Sequence, residues 1–415
     1  MGNQTTYTNR AGSVKTCTYD NRNRELTCSW NDGVTPGITR TYDSVGRLLT
    51  ATNSVSQLTY TYDNAGQLLS EIQNLSTISA KTNSYTYDSD GQRLTHTYPA
   101  GSVITNTYTA RNQLATISAD GPPPLATFAY DGGGNRTTNT LENGTSVEYA
   151  YNDASGMLSL IHKLNGTNFA DFAYAYNSVG NRTNRVETNN GTPVTDAYGY
   201  DATDQVTNVN YNASARIVSY QWDAVGNRTT VTDNGVGTNY TANSLNQYTA
   251  VGAGTPTYDT KGNLATQNGW TYTFDAQNRL LTATNNTTTS SFSYDARNRC
   301  VSRTIDGTTT LLIYDGWNLI EEWTTGGAQV AHYVHGPRVD ELLVKVSTTN
   351  AVYYHHDGLG NVTHLTGTNG AVVERYTYDV FGAVTIRDAN SQLLSAGSFA
   401  NRFLFTGREW LAEIS

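Results

Sequence analysis

Five of the seven histidines of this chain, His332, His335, His355, His356 and His364, fall within one short stretch, a gathering of imidazoles that could hold a metal ion. Their spacing argues otherwise, because adjacent residues of a strand point to opposite faces, so His355 and His356 do not converge on one ion. The acidic pairs Glu321-Glu322 and Asp340-Glu341 raise a second chemistry, a carboxylate dyad. Glycoside hydrolysis needs two carboxyls about 5–9.5 Å apart across a substrate, which sequence neighbours do not supply; solvated strand ends are their expected setting. No G-x-S-x-G, H-E-x-x-H, phosphate-binding loop or dinucleotide fingerprint occurs. The glycine-rich "DGGGN" at residues 131–135 reads as a turn. The expectation is therefore no catalytic residue, no cofactor site and no metal site.

The elements carrying these residues are written as a repeat. "TYDSVGRLLTATNS" is followed about twenty residues later by "TYDNAGQLLSEIQN", and an aromatic-Asp pair recurs roughly every 16–25 residues from Tyr19-Asp20 to Tyr378-Asp379, as one unit repeated in tandem. Tyrosines two apart before the Asp, such as Tyr60 and Tyr62 or Tyr376 and Tyr378, place both rings on one face of a strand. The Asp opens a turn by accepting backbone N–H bonds two residues on. The Gly three residues later (Gly46, Gly66, Gly91, Gly226, Gly262) fits a left-handed position, as in a type I turn followed by a bulge, and Asn112, Asn278 and Asn298 replace it as the next-best residue. Across this turn Tyr42 faces Leu48. Each unit is thus a β-hairpin with an aromatic ladder, and no stretch carries convincing helical periodicity.

The first unit, "CTYDNRNRELTC", reads as having one extra turn residue, with its centre between Arg22 and Asn23. Tyr19 then faces Leu26, and Cys17 faces Cys28. The cysteines are expected as neighbours, with a disulfide open to them in an oxidising compartment.

Composition agrees with an all-β chain. Of 415 residues, 37% are hydrophobic, with 29 tyrosines among them, and 37 glycines stand against 8 prolines, which favours strands and turns over a thick aliphatic core. The net charge of -9, with no basic cluster, argues against nucleic acid and anionic membranes as partners. No apolar run reaches the ~18 residues of a membrane span.

The unit Tyr-Asp-x-x-Gly-Arg/Asn/Gln-Leu resembles the YD-repeat, or Rhs-repeat, family of bacterial Rhs proteins, insecticidal toxin complex components and animal teneurins. "YVHGPRVDELL" at 333–343, "YYHHDGLGNVTHLTGTNGAVVERYTYDVFGAV" at 353–384 and "NRFLFTGREW" at 401–410 resemble the Rhs-associated core that closes such arrays. The resemblance implies tandem β-hairpins forming a spiralling antiparallel β-sheet shell or barrel, with 1–330 as the repeat array and 331–415 as an incomplete core. It further implies a secreted or cell-surface bacterial scaffold that encapsulates a C-terminal toxin or variable cargo. Family members often free that cargo by aspartate-dependent self-cleavage. The chain stops at "FTGREWLAEIS", before the Asp-Pro element where this occurs, so no catalytic residue carries over and Asp357 and Asp379 are expected to be turn residues. About 36 strands spaced ~4.8 Å make one turn of a shell ~50 Å wide and only ~20 Å tall. The chain is accordingly expected to be a fragment of a longer array, or else to fill its interior with tyrosines. The alternative is an extracellular adhesion or carbohydrate-binding array. The two differ in whether the rings point inward or into solvent.

Overall fold

The structure is a computed structural model, described here for residues 3–189 and 191–414. It contains 38 strands among those residues, with three short 3₁₀ turns, and the strands form two large antiparallel sheets of consecutive hairpins, of 23 and 15 strands. By contacts the chain divides into two units. The first comprises residues 1–123, 257–351 and 411–415; the second comprises 124–256 and 352–410.

The hairpin chemistry is the same in both. In the strands Ile38–Tyr42 and Leu48–Thr52, Tyr42 pairs with Leu48, and the register then shifts so that Thr41 pairs with Thr50. Asp43 N–H donates to Arg47 O (3.0 Å) and Gly46 N–H to Asp43 O (3.2 Å), while Gly46 takes φ 105°. This is a type I turn with a glycine bulge. Asn112, Asn278 and Asn298 hold φ 62°, 61° and 67° at the same position. An L side chain there carries a steric penalty. Gly46→Val and Gly226→Val (φ 90°) should therefore each lower stability by at least about 1 kcal/mol in urea melts, whereas Ser44→Val at the exposed loop position should be nearly neutral. Equal shifts for the two kinds of variant would contradict this turn assignment.

The first unit corrects one expectation. Cys17 pairs with Cys28, but Tyr19 pairs with Glu25, not Leu26. There is no extra turn residue: Asn23 occupies the glycine position at φ 63°, and the bulge accounts for the one-residue offset between Tyr19 and Thr18. Cys17 and Cys28 form a disulfide, with Cα atoms 4.2 Å apart.

Strand alternation then decides what is buried. In Ser56–Tyr62 the side chains of Leu58 and Tyr60 are buried while Thr61 is exposed. Opposed hydroxyls line the exposed face: Thr41–Thr50 (2.7 Å), Thr61–Ser70 (2.6 Å), Thr86–Thr95 (2.6 Å) and Thr273–Thr282 (2.7 Å). The ring face points inward and packs into buried clusters in each unit. In the first, Ile38, Ala51, Leu58, Tyr60 and Ala296 pack together. In the second, Val147, Leu160, Phe172 and Tyr174 surround Phe169, and Val209, Tyr211, Val218 and Tyr220 form another cluster. The strands Thr308–Asp315 and Val362–Thr366 carry consecutive buried residues, the mark of a strand covered on both faces.

Candidate functional site

The repeated feature of this chain is a Tyr-Asp-Arg clasp, and it assigns a task to every letter of the motif. The tyrosine before each Asp donates its hydroxyl to a backbone carbonyl of the preceding hairpin: Tyr42 to Glu25 O (2.9 Å), Tyr62 to Leu48 O (3.0 Å), Tyr87 to Leu68 O (2.8 Å) and Tyr294 to Leu280 O (2.7 Å). Trp222 Nε1 does the same to Val206 O (2.8 Å). The Asp uses both oxygens. Asp43 Oδ1 accepts the amides of Val45, Gly46 and Arg47 at 3.0, 2.8 and 2.8 Å, and its Oδ2 accepts Arg47 Nε at 2.6 Å. Arg47 then reaches onward, donating from Nη1 to Asp63 O (2.7 Å) and stacking over Tyr62 (4.8 Å). Where the sequence has Asn instead, its carboxamide replaces the guanidinium, as Asn227 does on Asp223 (2.9 Å). Partial loss of water works against the Asp43 charge, but the Arg47 side chain and the amide bonds outweigh it and hold its carboxyl at about 2. Such aspartates are ionised acceptors with no proton to give near neutral pH.

Asp357 and Asp379 occupy the same turn position. Asp357 Oδ1 accepts the amides of Leu359 (2.9 Å) and Asn361 (3.0 Å), and Asp379 Oδ1 accepts those of Phe381 and Ala383, both at 2.9 Å. Asp131 of "DGGGN" likewise accepts Asn135 N–H at 2.8 Å. All three are turns.

The histidines are structural by the same measure. His335 stands where the clasp tyrosine would, with Nε2 2.8 Å from Leu319 O. His332 meets the Tyr98 ring edge-on at 6.4 Å. His355 and His364 are cross-strand partners, and His356 pairs on with Val362. The buried box they form includes a residue outside the sequence cluster: His162 lies 5.1 Å from His355 and 5.7 Å from Phe169, with Phe169 5.2 Å from His355 and 5.8 Å from His364. Each ring has its own hydrogen bond, His162 Nε2 to His356 O (3.0 Å) and His355 Nε2 to Thr366 Oγ1 (2.9 Å). Burial pushes His162 down to about 3, and holds His355 and His364 well below the usual imidazole range. These are neutral packing groups.

Three of the four acids in the acidic pairs, Glu321, Glu322 and Glu341, are buried rather than solvated. Glu321 is fully buried, with Oε1 accepting Ala100 N–H (3.1 Å) and Oε2 accepting Trp323 Nε1 (2.8 Å). Glu322 is buried too and accepts the Tyr333 hydroxyl. Glu341 is buried and accepts Arg338 N–H (3.1 Å). Each sits indoors because an N–H or O–H satisfies it. The larger omission of sequence reasoning is the ion cluster inside the first unit. Arg299 donates to Glu71 (2.8 Å), Asp295 (2.7 Å) and Gly316 O (2.9 Å), and nearby Asp315 binds Arg93 (2.5 Å) and the Tyr85 hydroxyl (3.0 Å).

Tandem clasped hairpins with an inward aromatic face define a repeat scaffold, one whose repeated aspartates hold its own turns. The teneurin YD-shell family model matches residues 16–194 and 175–399, and the chain belongs to that family. Over 206 residues it is 25% identical to the tRNA3(Ser)-specific nuclease WapA of Bacillus spizizenii and to the tRNA nuclease WapA of Bacillus subtilis, covering 48% of this chain but 9% of each relative. Among solved structures, TcdB2-TccC3 without its hypervariable C-terminal region matches 98% of this chain with a TM-score of 0.81 at 14% identity, over 24% of that chain. The Photorhabdus luminescens Tc holotoxin pore matches 97% with a TM-score of 0.78 at 13% identity, again over 24%. These likenesses establish a shared fold. The chain spans about a tenth of the length of the curated relatives and a quarter of the solved ones.

Proposed function

We propose that this chain is a wall and closing segment of a toxin-type YD shell, a non-catalytic scaffold that encloses a C-terminal cargo. Residues 1–330 act as the repeat array and 331–415 as the core that closes it. The protein works outside the cytoplasm, secreted or at the cell surface. The observation that carries this reading is the orientation of the ladder: its tyrosines face the buried side and its aspartates are engaged in turns, leaving a hydroxyl face outward. The disulfide between Cys17 and Cys28 suits an oxidising compartment. Burial of the ladder rings weighs against the second reading, an array that binds surface carbohydrate by aromatic stacking.

Intact mass provides the test of the non-catalytic role. The chain should keep its 45.2 kDa through prolonged incubation from mild acid to neutral pH. Splitting at one site, stopped by Asp357→Asn or Asp379→Asn, would overturn the reading. For enclosure, the full-length gene product should protect its C-terminal segment from protease until the shell is denatured. A segment digested at the rate of a free peptide would refute encapsulation, and saturable binding on a glycan array would favour the adhesion reading.

A further inference from the structure

We propose that the cavity lined by the strands Val372–Tyr378 and Val384–Asp388 binds a small anionic molecule, whose phosphate or carboxylate sits between Arg375 and Arg387. These two arginines are direct cross-strand partners, and His364 pairs with Arg375 on its other side. Like charges placed opposite each other destabilise an antiparallel pair, so such a pair calls for an anion between its members.

No direct ion pair supplies one among the described residues, although Glu187 bears on Arg375 at longer range. Among the described residues, Arg375 has no carboxylate at ion-pair distance. Its Nη1 lies 3.2 Å from His364 Nε2 and 3.5 Å from Asn189 Oδ1, and its buried Nε has no hydrogen-bond partner. Arg387 donates from Nη1 to Ser391 O at 3.1 Å. The acids lining the same cavity are engaged elsewhere: Glu187 and Asp196 each lie 3.0 Å from Arg185 Nη2, and Asp379 serves its own turn. A neighbouring arginine of the cavity, Arg216, is held by both oxygens of Asp233 at 2.9 Å. Arg375 and Arg387 are left with guanidinium forks to offer, and such forks match the oxygens of phosphate and carboxylate.

The surroundings fit a ligand. His364 is buried and neutral, so its Nε2 accepts from Arg375 and fixes that side chain without adding charge. Thr377 and Thr385, the next cross-strand pair on the same face, line the same cavity with hydroxyl donors. Its volume of about 400 Å³ exceeds a bare oxyanion and suits a molecule the size of a sugar phosphate or sugar acid.

Calorimetric titration of the folded chain with inorganic phosphate and, separately, with glucuronate tests this. Saturable binding of either is expected, phosphate alone marking a phosphate-type ligand and glucuronate alone a carboxylate-type one. Arg375→Gln and Arg387→Gln should each weaken it about tenfold or more, while Arg22→Gln on an exposed turn should not. Arg387 lies toward the rim, so its variant keeps the test decisive if Arg375→Gln fails to fold. No saturable binding of either probe up to about 10 mM, or unchanged binding in Arg387→Gln, would overturn the proposal.

Discussion

Replacing Arg299 with Met should destabilise the chain by about 3–5 kcal/mol, the loss expected when one member of a buried ion cluster is removed and its partners stay. Arg299 is 2% exposed, Glu71 1% and Asp295 0%. The guanidinium fills three roles at once: it neutralises Glu71, closes the Asp295 turn, and caps Gly316 O. Burial already pushes the Glu71 carboxyl up, and the Arg299 charge restrains it. Without Arg299, Glu71 must either remain an unpaired buried anion or take up a proton. Both are costly relative to the native pair. Arg299→Lys should fall between wild type and Met, since it keeps the charge but its single compact ammonium cannot span the acceptors that the guanidinium reaches from three nitrogens. Glu71→Leu in the Arg299→Met background should recover part of the loss, because the stranded charge is gone. The measurement is a urea titration followed by circular dichroism. A loss under about 1 kcal/mol for Arg299→Met would mean that water reaches the cluster and screens it, in the manner of a surface pair.

Nothing in the sequence around Arg299 distinguishes it from Arg24 or Arg47. All three follow an Asp by four residues and close its turn. What sets Arg299 apart is Glu71, 228 residues away. Local rules therefore reached the hairpin, the glycine at positive φ, its Asn substitutes and the Cys17–Cys28 opposition, because each depends on neighbours within one turn. They missed Asn23 as a further substitute, and so misplaced Tyr19 by one residue. They also placed Glu321 and Glu322 in solvent, since nothing nearby signals the Ala100 amide, 221 residues distant, that admits Glu321 to the interior. The tyrosine period was visible, but its hydroxyl's task was not: the accepting carbonyl lies one hairpin back, which requires knowing how successive hairpins stack. His162 escaped notice for the same reason, being far in sequence from the histidines it packs against.

The melting temperature should fall between pH 7 and pH 5, before the turn carboxylates begin to protonate. Burial holds six histidines below their unfolded value of about 6.5: His96 at about 4, His162 at about 3, and His332, His335, His355 and His364 lower by direction. Such a group is neutral in the folded chain while its unfolded counterpart binds a proton. Its contribution is therefore fully present above pH 6.5 and is lost as pH drops toward the folded value. A histidine whose folded value lies far below 5 forfeits about 2 kcal/mol across this range. Glu71, Asp196 and Glu321 act the other way, since burial raises them and the folded chain gains from their protonation as pH falls. Six groups leaving their preferred state outnumber three entering theirs, so the net expected change over this range is a loss. Below pH 4 a second loss should follow, as Asp43 and its counterparts are protonated on the way to their depressed folded values. His162→Gln can keep a donor for His356 O while removing one titration, and it should flatten the stability slope between pH 7 and 5 by up to about 1.4 kcal/mol per pH unit. A melting temperature that stays level or rises over that range would show the histidines to be accessible to water and already charged in the folded chain.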